Sequence, residues 1–314
     1  LLNRHLNCVA SWRDEVPAPF AERIELSDHQ RAADYTLAKG KLGKVEAAVG
    51  LIVSALILFG GLSRMWNFTA PLADMPVLRE VALVALLSVV TGVISIPFSY
   101  FSTFNIEEKF GFNKTTRATF WADLVKGTLL SAALMLPLAA LVFWLMRSAG
   151  PLWWVYAWLV FIGFQLLMLA LYPTFIAPLF NKFTPLQEGE TKTAIEGLLA
   201  RTDFASNGLF VMDGSKRSAH GNAYFTGFGK AKRIVFFDTL LERLTNNEIV
   251  AVLAHELGHF KRKHIVKRIV FMAIASLAFL GAVAWVLPQP WFYTAFSFAG
   301  DTGKNSPGVA LVLF

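Results

Sequence analysis

His255 and His259 stand four residues apart with Glu256 between them, in the run His255-Glu256-Leu257-Gly258-His259. On an α-helix that spacing puts both imidazoles on one face, one turn apart. Two imidazoles so placed can grip a single Zn²⁺, one per chain. The glutamate can take a proton from a zinc-bound water, making a nucleophile for peptide hydrolysis. Residues 247–262 read as the helix that carries them, with Asn246 or Asn247 as its cap and Ile249, Val250, Val252 and Leu253 as apolar positions. The plainer reading is two surface histidines on an amphipathic helix, so the surroundings of the motif must decide.

Those surroundings are those of a membrane protein. The chain is 55% hydrophobic and 16% charged, with a mean hydropathy of +0.50. Five runs carry no charge: 47–63, 81–104, 127–146, 148–181 and 269–300. Each spans or nearly spans a bilayer core, which takes about 20 helical residues. A buried core helix could explain one such run, but not five.

The basic residues are sorted by loop. Seven lie in 1–44, four in 102–126 and fourteen in 177–268, against Arg64, Arg79, Arg147 and Lys304 elsewhere. This positive-inside pattern places those three segments in the cytoplasm. Topology therefore accounts for the net charge of +7. Nucleic-acid binding, the other account of a basic chain, lacks a basic patch with interleaved aromatics. Lys261, Arg262, Lys263, Lys267 and Arg268 mark the cytoplasmic entry of the next membrane helix.

The organisation follows. Residues 1–44 form a polar, helical cytoplasmic lead, with Leu26-Ser27-Asp28 as a helix start. Residues 45–176 hold four transmembrane helices, at about 45–65, 79–103, 126–147 and 152–176. A cytoplasmic domain at 177–263 contains the histidine motif. A further span covers 264–287, an outside loop 288–308, and the start of another span 309–314. The chain opens on Leu1 without Met and stops inside an apolar run, which leads us to expect further membrane helices before Leu1 and after Phe314. Cys8 is alone, so no intrachain disulfide or multi-cysteine metal site can form.

The cytoplasmic domain reads as mixed α and β. Residues 190–202 look helical, while Gly208 to Met212 and Arg233 to Phe237 read as strands. Asn222 to Thr226 is a candidate third strand. An edge strand beside a zinc helix can pair with an extended substrate backbone and hold its carbonyl near the metal. It can equally be a hairpin that simply packs the helix.

Four more stretches, Glu108 to Asn113, Ile176 to Phe183, Ser215 to Tyr224 and Lys232 to Leu241, together with the histidine motif, resemble the CAAX prenyl protease 1 family of integral-membrane zinc metalloproteases. The resemblance implies a mostly α fold, with seven transmembrane helices enclosing a chamber and a small α+β zinc-protease domain at the cytoplasmic end. About five of those helices are complete here. It implies His255 and His259 as zinc ligands and Glu256 as general base, with Asn222, Ala223 and Tyr224 on the strand that holds substrate. Eukaryotic members remove the last three residues of prenylated CAAX proteins, while bacterial members point to membrane-protein quality control. The match reads closer to bacterial members, which implies the bacterial cytoplasmic membrane, or the endoplasmic reticulum for a eukaryotic source. The partners implied are a peptide or protein substrate, prenylated or membrane-inserted, and the lipid bilayer; no nucleic acid is implied.

One departure stands out. The family's third zinc ligand is a glutamate well downstream, yet the sole acidic residue after His259 is Asp301, in an outside loop. A three-ligand site then needs a glutamate beyond Phe314. Other polar residues have quieter readings. His264, five residues past His259, falls on another face of a continuous helix and reads as interfacial. His220 is either a substrate contact or a satisfied loop histidine. Glu107 and Glu108 read as a solvated loop pair, although the resemblance implies packing against the zinc domain, and Asp238 reads as a cap for the helix after it. The alternative to an endopeptidase is a non-catalytic zinc-binding scaffold or a transporter-like protein. A transporter should carry ionisable groups inside its spans, and these spans have almost none.

Overall fold

A computed structural model of the chain describes residues 1–202, 204, 206–226, 233–289 and 291–292. The outside loop and final span expected over 288–314, with Asp301, lie almost wholly outside the described residues, as do Lys230 and Lys232. The chain forms two compact units, one built on residues 1–113 and the other on 114–290.

The first unit is helical. A short helix α1 (Leu2–Ser11) lies against the long helix α2 (Leu26–Leu56). Their contact is tight: a Cβ on Gly40 would sit 2.3 Å from the Cδ2 of Leu6, a buried residue. After a five-residue kink at Ile57–Gly61, where Gly60 takes φ 143°, the chain continues as α3 (Leu62–Phe68) and turns into α4 (Pro76–Phe101). Helical turns carry α4 on to Glu107. There the Glu107 carboxylate accepts from Tyr35 Oη at 2.8 Å and Lys39 Nζ at 3.0 Å. Its side chain is 18% exposed, so Glu107 is a tie between α2 and the end of α4 rather than a solvated loop residue. Glu108 is the outward one, accepting from Asn113 Nδ2 at 2.8 Å.

The second unit joins membrane helices to a small sheet domain. Helices α5 (Arg117–Ser148) and α6 (Trp153–Leu171) pack together. The four strands β1 (Phe183–Pro185), β2 (Leu209–Met212), β3 (Ala223–Thr226) and β4 (Arg233–Phe237) form one sheet in the order β1-β2-β4-β3. β2 and β4 run parallel, and β1 and β3 are antiparallel edges. Helices α7 (Glu190–Arg201), α8 (Asp238–Arg243) and α9 (Asn246–Lys261) complete the domain, and α10 (His264–Val286) follows. Ile195, Leu198 and Leu199 of α7 meet Ile249, Leu253 and Leu257 of α9 over Ile234 and Phe236 in one core. α10 packs on α6, where Trp158 Nε1 donates to the Ala273 carbonyl at 2.9 Å.

Among the described residues, five helical segments have the length and apolarity to cross a membrane: Leu26–Phe68, Pro76–Glu107, Arg117–Ser148, Gly150–Leu179 and His264–Val286. They run past the charge-free stretches. The division placed at 44/45 falls inside α2, and α5 begins at Arg117 rather than near 126. Apolarity marks the part of a helix that lipid can surround; backbone hydrogen bonding carries the helix further into water.

Candidate metal centre

Helix α9 owes its position to one buried stripe. Ile249, Leu253 and Leu257, at i, i+4 and i+8, are 1%, 0% and 5% exposed and lock the helix onto the sheet. Its start carries the glutamate half of a capping box. The Glu248 carboxylate accepts from both the N–H and the hydroxyl of Thr245, each at 2.8 Å. The cap is therefore Thr245, not Asn246 or Asn247. The signal was the pattern Thr245-x-x-Glu248. Asn246 instead accepts from the Thr191 hydroxyl at 2.6 Å, tying α9 to the start of α7.

With the stripe turned inward, His255 and His259 face outward and are exposed, and Glu256 between them is half-buried. The two Nε2 atoms converge to 3.1 Å. Two nitrogens held tetrahedrally by one zinc, at about 2.0–2.1 Å each, lie about 3.3 Å apart. The pair therefore fits as two ligands of one metal ion. Among the described residues no group of three or more His, Cys, Asp and Glu side chains is placed to hold a metal.

The end of α9 departs from the sequence reading. The helix stops at Lys261, and Lys263 takes a left-handed conformation at φ 55° before α10 begins. A lysine there costs about 1 kcal/mol. The break returns His264 to His259, with Nδ1 of the two rings 2.8 Å apart. His264 is thus not on a separate face of a continuous helix. Periodicity could not show this, because a single backbone break resets the phase.

Ala223 and Tyr224 open the edge strand β3, on which α9 packs, and Asn222 immediately precedes it. Ala223 is buried in the core it shares with Leu253 and Leu257. Tyr224 points to the opposite face, as strand alternation requires. Its hydroxyl reaches Met212 Sδ at 3.9 Å, and its ring lines a cavity of about 60 Å³ with Phe210 and Val235. Burial, and secondarily Tyr172, pushes this phenol upward in pKa. The Asn222 side chain accepts the Ala223 N–H at 2.8 Å, while its carbonyl accepts the Phe237 N–H at 2.9 Å. By antiparallel alternation, Tyr224 then pairs inward with Val235, and the main-chain groups of Ala223 and Phe225 face the outer edge.

The comparisons with known proteins agree with this layout. Residues 5–182 match the family described as CAAX prenyl protease N-terminal, five membrane helices, and residues 185–298 match Peptidase family M48. The chain belongs to the CAAX prenyl proteases of peptidase family M48. It is 34% identical over 308 residues to the CAAX prenyl protease 1 homolog of Dictyostelium discoideum, covering 96% of this chain and 72% of that protein. It is 40% identical over 274 residues to the homolog of Oryza sativa subsp. japonica, covering 84% of this chain and 64% of that one. CAAX prenyl protease 1 of Saccharomyces cerevisiae is 34% identical, covering 93% and 67%. The crystal structure of S. mikatae Ste24p superposes with a TM-score of 0.90 at 30% identity, covering 99% of this chain and 77% of that one. The chain spans about two thirds of the length of the curated relatives it matches. These relatives are eukaryotic, and the bacterial source expected from the sequence finds no support in them. A membrane metalloprotease family, and with it a metal cofactor, is what the matches establish.

Within this CAAX prenyl protease the stretch 215–221 has a structural role that sequence reasoning missed. The Arg217 guanidinium forks onto Asp123 of α5 at 2.7 and 3.0 Å, and its Nη1 donates to Asn181 Oδ1 at 2.8 Å. The Arg217 carbonyl accepts from the Lys114 N–H at 3.1 Å and the Thr115 hydroxyl at 3.0 Å. One residue thereby fastens the approach to β3 onto the start of a membrane helix. Asp238 is the first residue of α8, with Phe237 at the cap position, so it is not the cap read from the sequence; its carboxylate accepts from the N–H of Thr239 at 2.8 Å and from the N–H and hydroxyl of Ser215. The His220 carbonyl accepts from the Thr239 hydroxyl at 2.9 Å, so its main chain serves the same loop. Cys8 is exposed and unpaired.

Proposed function

We propose that the protein is a zinc metalloendopeptidase of the membrane, in which His255 and His259 hold the metal and Glu256 is the general base. The convergence of the two Nε2 atoms to 3.1 Å carries this reading. The sequence holds no glutamate after His259, so the third ligand that the family resemblance implies is left unassigned in this proposal. Bound there, zinc supplies Lewis-acid polarisation of the scissile carbonyl and a lowered pKa for water.

The chain's own residues do the rest. The Glu256 carboxylate takes the proton of the attacking water and returns it to the leaving amine. The outer edge of β3 receives the substrate as an added strand through the main-chain groups of Ala223 and Phe225. Tyr224 lies between these two rungs, with its main-chain groups turned to Val235 and its side chain facing away from α9, so its part is to hold the strand on the sheet. Asn222 holds the Ala223 N–H, so a substrate strand must compete with that side chain at its first rung. We assign the substrate as the C-terminal tail of prenylated CAAX proteins, the class named by the relatives, and place the sheet domain in the cytoplasm, where most of the lysines and arginines lie. The host membrane in this reading is the endoplasmic reticulum.

The test uses full-length protein in detergent, a farnesylated CAAX peptide and an unfolded membrane-protein reporter. Glu256→Gln should lower turnover by about 10²–10⁴-fold while zinc stays bound. Cleavage of the reporter alone would redirect the substrate to membrane-protein quality control. Stoichiometric zinc with no cleavage of either would make the protein a scaffold.

A further inference from the structure

We propose that His264 is a positioning residue for His259, accepting a hydrogen bond that fixes the tautomer and the ring plane of that metal ligand. The inference rests on the zinc reading above and adds a residue to it.

The argument starts from the two nitrogens of one ring. His259 Nε2 lies 3.1 Å from Nε2 of His255, and His259 Nδ1 lies 2.8 Å from Nδ1 of His264. A neutral imidazole has one donor nitrogen and one acceptor nitrogen. If Nε2 offers its lone pair to a metal, Nδ1 must carry the proton and needs an acceptor. His264 Nδ1 is that acceptor, and its own proton then sits on Nε2. The rings meet edge to face, with centroids 5.0 Å apart and planes inclined by 65°. His259 is thus held from both sides. Among the described residues, His255 has no side-chain partner besides His259 in the contacts of its ring.

The backbone is built to deliver this contact. On an unbroken helix a residue five positions on lies about 140° around the axis, out of reach. Lys263 at φ 55° ends that geometry and restarts the chain as α10 with His264 as its first residue. The first residue of a membrane helix therefore also braces the protease helix. α10 is anchored in turn by its packing on α6, through Trp158 and Ala273.

The decisive measurement is zinc affinity of the full-length protein by chelator competition, with the visible spectrum of the Co²⁺-substituted protein as a second readout. Three variants separate the explanations. His264→Leu removes the acceptor, His264→Asn places Oδ1 where Nδ1 stood, and His264→Gln puts its acceptor further out. We expect His264→Leu to weaken zinc by about 10–100-fold and shift the Co²⁺ bands, the scale seen for lost outer-shell partners. His264→Asn should return to within about threefold of wild type, and closer than His264→Gln. Unchanged affinity and spectrum in His264→Leu would overturn the proposal. So would His264→Asn binding as weakly as His264→Leu, which would mark His264 as a direct ligand. Should His264→Leu fail to fold, equal affinities in the Asn and Gln variants would overturn it. Wild-type protein that binds no zinc would sink the metal reading itself, a different and recognisable failure.

Discussion

Helices α9 and α10 are neighbours in sequence, separated by two residues, and they follow opposite rules. In α9 the large apolar side chains are hidden: Leu253 is 0% exposed and Ile249 1%. In α10 they are displayed: Phe271 is 68% exposed, Ile274 65% and Trp285 66%. The difference is one of solvent. Water drives the α9 stripe onto the sheet, whereas lipid tails are as apolar as leucine and provide no such drive. Hydrophobic periodicity therefore locates the core face of α9, while in α10 only length and absence of charge carry information. The candidate site sits where the two regimes meet, at His259, Lys263 and His264.

The sharpest way to break this contrast is to truncate one apolar residue in each helix. Leu253→Ala should cost about 2–5 kcal/mol, from lost transfer energy plus the cavity left behind. Ile274→Ala should cost under about 1 kcal/mol, because its side chain leaves no packed hole. Thermal unfolding of the detergent-solubilised protein reads both. Charge should reverse the order. Ala251→Lys, at an exposed position of α9, should be near neutral, whereas Ile274→Lys should oppose membrane insertion by about 2.5–3.5 kcal/mol. Equal losses for the two alanine variants would show that α10 is packed like α9.

The same contrast explains what was legible in the sequence. The spans were visible as charge-free runs because lipid tolerates no alternative. The strands at Leu209–Met212 and Arg233–Phe237 were visible because β-branched and aromatic residues cluster there between turn residues. The candidate metal helix could be read from spacing that is local by nature. What escaped was of three kinds. Helix ends in water, as at Arg117, carry no apolar signal. Single backbone events, such as the left-handed Lys263, reset a phase that pattern reading assumes continuous. Contacts distant in sequence, such as Arg217 with Asp123, pair residues 94 positions apart that nothing local connects. The Thr245–Glu248 pairing is different, since its pattern is in plain view and is masked only by the asparagines that follow it, which are good cap residues themselves.

Arg217 sharpens the comparison further, because it joins the water-driven domain to a membrane helix by polar bonds alone. Its fork on Asp123 is bidentate and charge-assisted, and both side chains are about three-quarters covered, at 24% and 22% exposure. Arg217→Ala should cost about 1.5–3 kcal/mol, the usual range for hydrogen bonds to charged groups. Arg217→Lys should recover only part, since a lysine cannot reproduce the fork or reach Asn181 at the same time. Because this residue also sets the approach to β3, peptide KM should rise in both variants with zinc affinity unchanged. A loss of zinc without a change in KM would contradict that placement.

The smallest expected effect lies at the other end of α9, in water, where electrostatics can be titrated. The Thr245 N–H, and after it the Thr245 hydroxyl, hold the Glu248 carboxyl below its ordinary pKa of 4.5. The negative charge also suits the start of a helix. A carboxyl with a depressed folded pKa stabilises the protein fully above its unfolded pKa and loses that contribution as pH falls through the folded one. The melting temperature of wild type should therefore exceed that of Glu248→Gln modestly at pH 6–7, and the gap should close as pH drops below 4.5. Every other titrating group is common to both proteins and cancels in the difference. A gap that stays constant to acid pH would mean that the amide caps as well as the carboxylate, and that shape rather than charge secures the first turn of α9.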